Sequence, residues 1–194
     1  MSRQAASVDT SAVRQRILGA ADRLFYGQGI QSVGVDTLCA EAAVSKRTLY
    51  KHFSSKDELV AAYLARRATS IPEGEGPPLQ QILALFDGLE KWFASKRFRG
   101  CPFVNAVSEL GGNRTHPAVA VAIAAKNRRR DWFEQQAKAI GIPQPAAVAN
   151  QLAVLFEGAI AISLVRGGDP AAARAAKDAA QVILASAGIG RAVT

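Results

Sequence analysis

The sequence predicts an all-α protein of about nine helices, and two observations support this prediction. Apolar residues recur every three or four positions along most of the chain, which is the period of an amphipathic helix. The alternation of apolar and polar residues that indicates a half-buried strand never continues for more than a few positions. We therefore expect helices throughout and no β-sheet.

Glycine, proline and capping side chains set the expected limits of these helices. A polar residue among positions 9–11 caps the first helix, Ser45 caps the third, and Ser55 with Glu58 has the spacing of a capping box at the start of the fourth. Residues 71–78, with three prolines and two glycines, predict a linker. The predicted helices cover about residues 10–27, 35–42, 46–53, 56–69, 79–93, 103–110, 117–140, 145–166 and 170–187.

Two of the later helices differ from the others in composition. The eighth, from about Pro145 to Arg166, is apolar on nearly all sides, so it needs cover from more than one neighbour. The ninth carries a stripe of alanines that lets another helix approach closely. We expect one domain over residues 1–70 and a second, helical domain over residues 71–194.

The charge of the chain predicts a polyanionic partner. The sequence has 24 Lys and Arg against 16 Asp and Glu, a formal net charge of +8. Residues 45–56 contain four basic residues and no acidic one, so a phosphate backbone would bind there. Nucleic acid is therefore the first partner to consider, and an acidic membrane surface is the second.

The cysteines and the N-terminal residues argue against several classes of protein. Cys39 and Cys101 are far apart and form no Cys-x-x-Cys pair, which predicts neither a disulfide framework nor a zinc knuckle. Residues 1–9 lack the apolar run of a signal peptide, and every later apolar stretch of about 18 residues is interrupted by charge or glycine. We expect a cytoplasmic protein without a cofactor, a metal site or a membrane span.

The third predicted helix has a basic outer face. On a helical wheel, Leu49 and Phe53 point inward, whereas Arg47 and Lys51 lie on the opposite side between hydroxyl side chains. Like charges four positions apart are mildly destabilising in water, and they become favourable against phosphates or guanine edges. For a basic pair taken alone, a solvated surface is the alternative interpretation.

A longer motif surrounds this face. The run Val44-Ser45-Lys46-Arg47-Thr48-Leu49-Tyr50-Lys51-His52-Phe53, followed by Ser55-Lys56-Asp57-Glu58-Leu59, resembles the TetR (tetracycline repressor) family. The resemblance covers about Val13 to Leu64 and weakens to architecture beyond the linker. It implies a three-helix N-terminal helix-turn-helix domain, joined by a fourth helix to a C-terminal helical bundle. It also implies double-stranded operator DNA as the partner.

The resemblance implies roles for individual residues of this motif. The residues implied near base edges are Lys46, Arg47, Lys51 and His52. The residues implied at phosphates are Ser45, Thr48, Tyr50, Lys56 and, on the preceding helix, Thr37. For His52, a packed side chain that touches a phosphate is an equal alternative to base readout. Phosphate contacts position the helix, and base contacts specify the sequence.

Two positions depart from the family pattern. Ala43 stands at a turn position that is usually Gly, where a positive φ would cost about 1 kcal/mol. Gly34 stands at the usual hydroxyl cap of the second helix, and Gly is itself an acceptable cap. Neither change removes a DNA contact. Cys39 lies where the family has a small apolar residue, and we expect it in the core.

By analogy with the family, the C-terminal helices bind a small-molecule effector between helices five and eight. The candidate lining residues are Phe86, Leu89, Trp92, Phe93, Phe103, Trp132, Phe133 and Phe156, with Asn105 and Glu157 as polar anchors. Each is more typical of an ordinary core than of a ligand contact, and only their concentration favours a pocket. Glu109 and Glu157 face either solvent or a cationic ligand. Residues 128–130, three arginines, predict a solvated basic face.

Helices eight and nine also predict a symmetric homodimer, because they carry more apolar surface than a monomer covers. The candidate interface residues are Leu152, Leu155, Ala159, Ile162, Ala175, Ala176, Ala179, Val182 and Ile183.

Several functions compete with that of a ligand-released repressor. An enzyme is disfavoured, because the sequence has no phosphate-binding loop, metal-ligand cluster or nucleophile elbow. A helical adaptor remains an alternative, and so does a redox-responsive regulator that acts through Cys101.

Overall fold

A computed structural model describes the backbone of residues 2–68 and 76–189, and the side chains of residues 10–68 and 76–188. These residues form helices and no strand, as predicted. In chain order the helices are α1 (Ser2–Gln28), α2 (Val35–Ala42), α3 (Lys46–His52), α4 (Lys56–Arg67), α5 (Pro78–Phe93), α6 (Pro102–Glu109), α7 (Pro117–Ile140), α8 (Pro145–Val165) and α9 (Ala171–Ile189). Most of the predicted linker, residues 71–75, lies outside the described residues.

The start of α1 differs from its prediction. The helix begins at Ser2 rather than at a cap among residues 9–11, so the predicted start is wrong. Residues 3–8 contain no glycine or proline, and an exposed Thr or Ser such as Thr10 is tolerated inside a helix. The other described boundaries lie within about two residues of the predicted ones, which is the usual disagreement at helix ends.

The chain divides into two compact units, and the first contains α1 to α4 together with Pro102–Ile123. Its core is formed by side chains that are 0–3% exposed, among them Ile17, Phe25, Leu38, Leu49, Phe53, Leu59, Tyr63 and Leu64. The Phe25 and Tyr63 rings meet edge to face at 5.7 Å, which joins α1 to α4. This core supports the buried side of α3.

Polar contacts tie the segment Pro102–Ile123 into the first unit. The backbone N–H of Gln31 donates to Glu109 Oε2 at 2.9 Å, beside Gly29. Gly29 has φ +94°, and a Cβ there would lie only 3.0 Å from that oxygen, so the position requires glycine. Farther along, the buried His116 places Nε2 3.3 Å from Asp57 Oδ1 at the start of α4, while its Nδ1 accepts from the backbone N–H of Ala118.

The second unit contains residues 76–101 and the described chain from Ala124 onward. Here α9 packs against both α8 and α5. Phe86, Phe93, Phe133 and Leu152 are almost completely buried in its core. Lys177 Nζ binds Asp87 Oδ1 at 2.7 Å, which adds an ion pair between α9 and α5. The compact units thus differ from the predicted domains in segment 102–123, and a division of function at residue 70 stays a prediction.

By length and composition, α8 is apolar enough to cross a membrane, with a mean hydropathy of 1.7. Glu157 and Gly158 interrupt it, and Leu152, Phe156 and Ile160 face the core of its own chain. Val154 and Val165 remain 73% and 86% exposed. One side of this helix is therefore a core element, and the other is an uncovered apolar surface.

Candidate functional site

The turn between α2 and α3 sets the orientation of the basic helix α3. Ala43 ends α2 in the left-handed region, with φ 51° and ψ 53°, and it is the one described non-glycine residue with a positive φ. This conformation costs a residue with a Cβ about 1–2 kcal/mol. Gly34 occupies the cap position of α2 in extended conformation and supplies no side-chain bond. Both departures noted in the sequence therefore lie at the predicted backbone positions.

Ser45 caps α3, as its position predicts. Its Oγ accepts from the backbone N–H of Thr48 at 3.1 Å, and it lies 2.9 Å from Thr48 Oγ1. Leu49 is 0% exposed and packs the inner side of the helix against the core. The cap and the buried side chain together fix which residues of this seven-residue helix face outward.

Most of the predicted DNA-contacting side chains share the exposed surface around α3. The exposed residues are Thr37, Ser45, Lys46, Arg47, Tyr50 and Lys51. Thr48, His52 and Lys56 are half-buried. The half-burial of His52 leaves both of its predicted roles open. We call the exposed set the α3 basic face.

The charges of this face are only partly balanced within the chain. Lys46 Nζ binds Asp36 Oδ1 at 2.7 Å, and this hydrogen bond raises the pKa of Lys46. The other acidic residue of α2, Glu41, binds Arg23 at 2.7 Å. Within the described side chains, Arg47 and Lys51 form no ion pair. The uncompensated positive charge therefore lies on the two side chains that point directly away from the core.

Lys56 differs from the rest of the predicted set. Its Nζ donates to the backbone carbonyl of Ile30 at 2.6 Å and lies 6.0 Å from the centre of the Phe25 ring. An ammonium group has three donors, so a phosphate contact remains compatible with this bond. The sequence alone did not reveal this second partner, which comes from the turn after α1.

The start of α4 has a cap that is close to the predicted box. Ser55 Oγ accepts from the backbone N–H of Glu58 at 3.1 Å, as expected. The Glu58 carboxylate accepts from the N–H and the hydroxyl of Ser54, both at 2.7 Å, rather than from Ser55. The Ser54 hydroxyl is the main cause that lowers the pKa of Glu58.

Cys39 is buried, and that burial raises the pKa of its thiol. The sequence predicted such a core position. Within residues 2–68 and 76–189, no group of three or more His, Cys, Asp or Glu side chains is arranged to hold a metal ion.

The predicted effector residues fall into separate groups. Phe86, Phe133 and Phe156 form one aromatic cluster, with ring centres 5.7–6.4 Å apart, and Trp132 contacts Phe133 at 5.3 Å. Trp92 and Phe93 form a second cluster with Phe98. Leu89 is buried on α5 in the same unit. Phe103 and Asn105 belong to the first unit, on α6.

Glu157 has cationic partners that sequence reasoning missed. Lys126 Nζ lies 2.5 Å from Glu157 Oε2, and Arg129 Nη1 lies 2.9 Å from Oε1. Lys126 also donates to Cys101 Sγ at 3.1 Å, and the Arg129 guanidinium lies 4.4 Å from the Phe156 ring centre. We call Cys101, Lys126, Arg129 and Glu157 the α7–α8 charged cluster.

This cluster bears on two expectations. The prediction that all three arginines of residues 128–130 lie on a solvated face is wrong for Arg129, whose side chain is 20% exposed and paired. Glu157 is 29% exposed and pairs with two cations of its own chain, and its contact with a ligand stays a prediction. The available signal was the spacing of Lys126 and Arg129, which puts both on one side of α7, toward an acidic residue of an apolar helix.

The predicted dimer residues are only partly exposed. Ile162 and Val182 are 48% and 65% exposed, and Ala175 is also exposed. Leu155, Ala179 and Ile183 are half-buried. Ala159 and Ala176 are buried at the floor of a groove of about 520 Å³ between α8 and α9. Leu152 is 0% exposed within its own chain, so it has no surface to offer a partner and does not belong to the predicted set.

Known regulators match the N-terminal region of this chain. Residues 17–63 match the family described as bacterial regulatory proteins, tetR family. FasR, an HTH-type transcriptional activator of Mycolicibacterium smegmatis, is 41% identical over 61 residues, which are 31% of this chain and 28% of FasR. UidR, an HTH-type transcriptional regulator of Escherichia coli, is 38% identical over 56 residues, 29% of each chain. The chain thus spans less than a third of the length of these relatives.

Two solved structures extend the similarity over nearly the whole chain. SCO4454, a TetR-family transcriptional regulator from Streptomyces coelicolor, is 31% identical with a TM-score of 0.78, over 91% of this chain and 96% of that one. A TetR-type transcriptional regulator from Streptomyces avermitilis is 33% identical with a TM-score of 0.74, over 87% and 98%.

Proposed function

This chain belongs to the TetR family of DNA-binding transcriptional regulators, and from that premise we propose that it is a cytoplasmic, ligand-responsive repressor. In this proposal it binds a palindromic operator as a homodimer and leaves the operator when a small, largely apolar effector binds. The family and the fold are those of regulators rather than enzymes. The match to FasR, an activator, makes activation the alternative outcome of the same DNA contacts.

The observation that carries the proposal is the α3 basic face. Arg47 and Lys51 are exposed and form no ion pair within the described side chains. They lie on α3, which is capped by Ser45, packs on the core and follows the left-handed turn at Ala43. An Arg in the major groove can donate two hydrogen bonds to one guanine. Tyr50, 46% exposed, and Ser45 flank the pair and suit the phosphate backbone.

Titration of purified protein onto the DNA that flanks its own gene tests this proposal. We expect tight binding to a palindrome, with log Kobs falling linearly with log salt at a slope of about −0.9 per neutralised phosphate. An enzyme or an adaptor without a DNA function gives no such slope. Binding that shows neither a preferred sequence nor a salt dependence would contradict the proposal.

The homodimer is supported by the uncovered side of α8 and α9. Val154, Ile162, Val165 and Val182 are all about half exposed or more, beside the α8–α9 groove. A second copy of the same face covers them across a two-fold axis, as an isologous contact requires. Such symmetry also suits a palindrome, whose half-sites lie about 34–36 Å apart.

A charge on this face tests the dimer. We expect Val154→Glu to be a monomer by sedimentation, because Val154 is 73% exposed and its replacement leaves the core intact. Ile123→Glu is the matched control, since Ile123 is 56% exposed and lies in the first unit. A wild-type monomer at micromolar concentration would refute the dimer.

The effector site is proposed around the aromatic cluster of Phe86, Phe133 and Phe156. Phe86 and Phe133 are 0% exposed, so their replacement by Ala would leave cavities that cost about 3–5 kcal/mol. Phe156→Leu and Trp132→Phe are gentler changes. We expect these two variants to shift the effector response and to keep the operator affinity of the free protein.

Transmission to the DNA-binding helices is proposed to run through α4 and through α6. The chain passes directly from Cys101 in the charged cluster to Pro102 at the start of α6, and Glu109 at its end binds Gln31 beside α2. Linkage requires operator DNA to weaken effector binding by the factor by which the effector weakens operator binding. Unequal factors would show that the two sites do not share one equilibrium.

A second candidate function is oxidant-responsive regulation through Cys101. It is favoured by the contact with Lys126, because a cation beside a thiol is typical of reactive cysteines. Hydrogen peroxide converts a thiol to a sulfenic acid and releases water. If this function is correct, peroxide abolishes operator binding of the wild type and of Cys39→Ser, and spares Cys101→Ser.

A further inference from the structure

The α7–α8 charged cluster has one more cation than it has carboxylates. Lys126 and Arg129 both bind the single carboxylate of the cluster, that of Glu157. Lys126 also donates to the thiol of Cys101. The three charged side chains are only 20–29% exposed, so solvent screens this surplus incompletely.

Arg129 also has an unused donor in this cluster. Its Nε is buried and has no hydrogen-bond acceptor among the described residues, although Nη1 reaches Glu157. A buried N–H group of a cation normally has an acceptor. A guanidinium that uses one edge for Glu157 can present Nε and the adjacent Nη to a second oxyanion as a fork.

The apolar neighbour of the cluster is aromatic. Arg129 lies over the Phe156 ring at 4.4 Å, and the same ring meets Phe86 at 5.7 Å. A ligand held at Arg129 by an anionic group would therefore have its carbon skeleton beside aromatic side chains. Charge at one end and an apolar body at the other is the chemistry of an organic acid.

We propose that the α7–α8 charged cluster binds the anionic group of an apolar organic acid, which is the effector class of this regulator. The inference rests on the proposed function and narrows it, because a largely apolar effector need not carry charge. Arg129 is the principal anchor and Lys126 the second. Glu157 holds both cations in place in the free protein and competes with the ligand for them.

A pair of probes with one skeleton tests the proposal without knowledge of the natural effector. The anion 8-anilinonaphthalene-1-sulfonate carries a sulfonate, and N-phenyl-1-naphthylamine is the neutral counterpart. Both become fluorescent in apolar sites. We expect the wild type to bind the sulfonate about tenfold more tightly than the neutral probe, which corresponds to about 1.4 kcal/mol.

Three variants test whether the charged cluster causes the preference for the sulfonate over the neutral probe. Arg129→Gln should remove it and leave the affinity for the neutral probe unchanged. Glu157→Gln should strengthen sulfonate binding alone, because it removes the competing carboxylate. Arg130→Gln, the matched control, removes the same charge one position away, where Arg130 is exposed and paired with Asp131, and should change neither affinity.

Several outcomes would overturn the inference. These are no sulfonate binding by the wild type, equal affinities for the two probes, or an Arg129→Gln variant that keeps the preference. Partial unfolding exposes apolar surface to both probes, so a gain that is confined to the sulfonate separates a ligand site from a structural ion pair. Operator titration of the same wild-type protein without probe is a separate measurement, and its failure would refute the proposed function rather than this site.

Discussion

The α3 basic face and the α7–α8 charged cluster look alike in sequence and differ in the folded chain. Each has two cations spaced to lie on one side of a helix, Arg47 with Lys51 and Lys126 with Arg129. The first two are exposed and form no ion pair with any other described residue. The second two are partly buried and share the carboxylate of Glu157. Spacing alone therefore does not tell a surface for a polyanion from an internal charged site.

Counter-charge and burial decide what each pair can bind. Exposed cations lose little when they exchange water and counterions for phosphates, so they suit a long, uniformly charged partner. Partly buried cations with one shared carboxylate suit a small ligand that brings a single negative group. Substitutions in both regions test this difference.

The largest effect is expected at the α3 basic face. Arg47→Ala should cost about 1–3 kcal/mol of operator binding per half-site and should relax the base preference, because a lost bidentate contact carries sequence information. Competition between operator and scrambled DNA measures both changes. Arg130→Ala removes an equal charge from α7 and should change neither. An unchanged base preference in Arg47→Ala would mean that this side chain does not read a base.

The next effect is the change in the free energy of unfolding when an ion pair loses its carboxylate, and it should differ between the two regions. Glu157→Gln should lower the free energy of unfolding by about 1–3 kcal/mol, because it leaves two partly buried cations without their carboxylate. Asp36→Asn should cost no more than about 1 kcal/mol, because Asp36 and Lys46 are 82% and 57% exposed. Denaturant unfolding of both variants checks the difference. Equal costs would remove the distinction drawn between the regions.

A smaller effect is expected at the turn that presents the basic face. Ala43→Gly should raise the free energy of unfolding by about 1 kcal/mol, because glycine adopts φ 51° without the Cβ strain. Ala40→Gly is the matched control on the exposed side of α2, and it should lower the free energy of unfolding by about 0.5–1 kcal/mol. Thermal melts measure both shifts, and equal signs would contradict the strain at Ala43.

The smallest effect concerns the cap of α4. The Ser54 hydroxyl lowers the pKa of Glu58, so the folded protein binds this proton less readily than the unfolded chain does. The resulting stabilisation is present above the unfolded pKa, near pH 4.5, and is lost as the pH falls through the folded value. Ser54→Ala should therefore lower Tm slightly at pH 7 and by less at pH 3. A Tm difference that is the same at both pH values would argue against this role of the carboxylate.

Local features account for what could be predicted near α3. The Ser45 cap joins two residues that are three positions apart, and the left-handed turn at Ala43 follows α2 directly. Leu49 lies on the apolar side of one short helix. Such interactions involve neighbours within about one helical turn, so the sequence specifies them. The start of α1 was not predictable in the same way, because a residue that can cap a helix can also lie within one.

Sequence patterns specify the nine helices of the described chain, their approximate limits apart from the start of α1, and the basic outer side of α3. The packing of the folded chain sets the contact of Glu109 with Gln31, the burial of Leu152 in the core of its own chain, and which cations are neutralised. The partners of Glu157 are 28 and 31 positions away along the chain. A helix fixes the direction of a side chain within one turn, whereas its counter-charge comes from whichever helix packs against it, and that packing depends on the whole core.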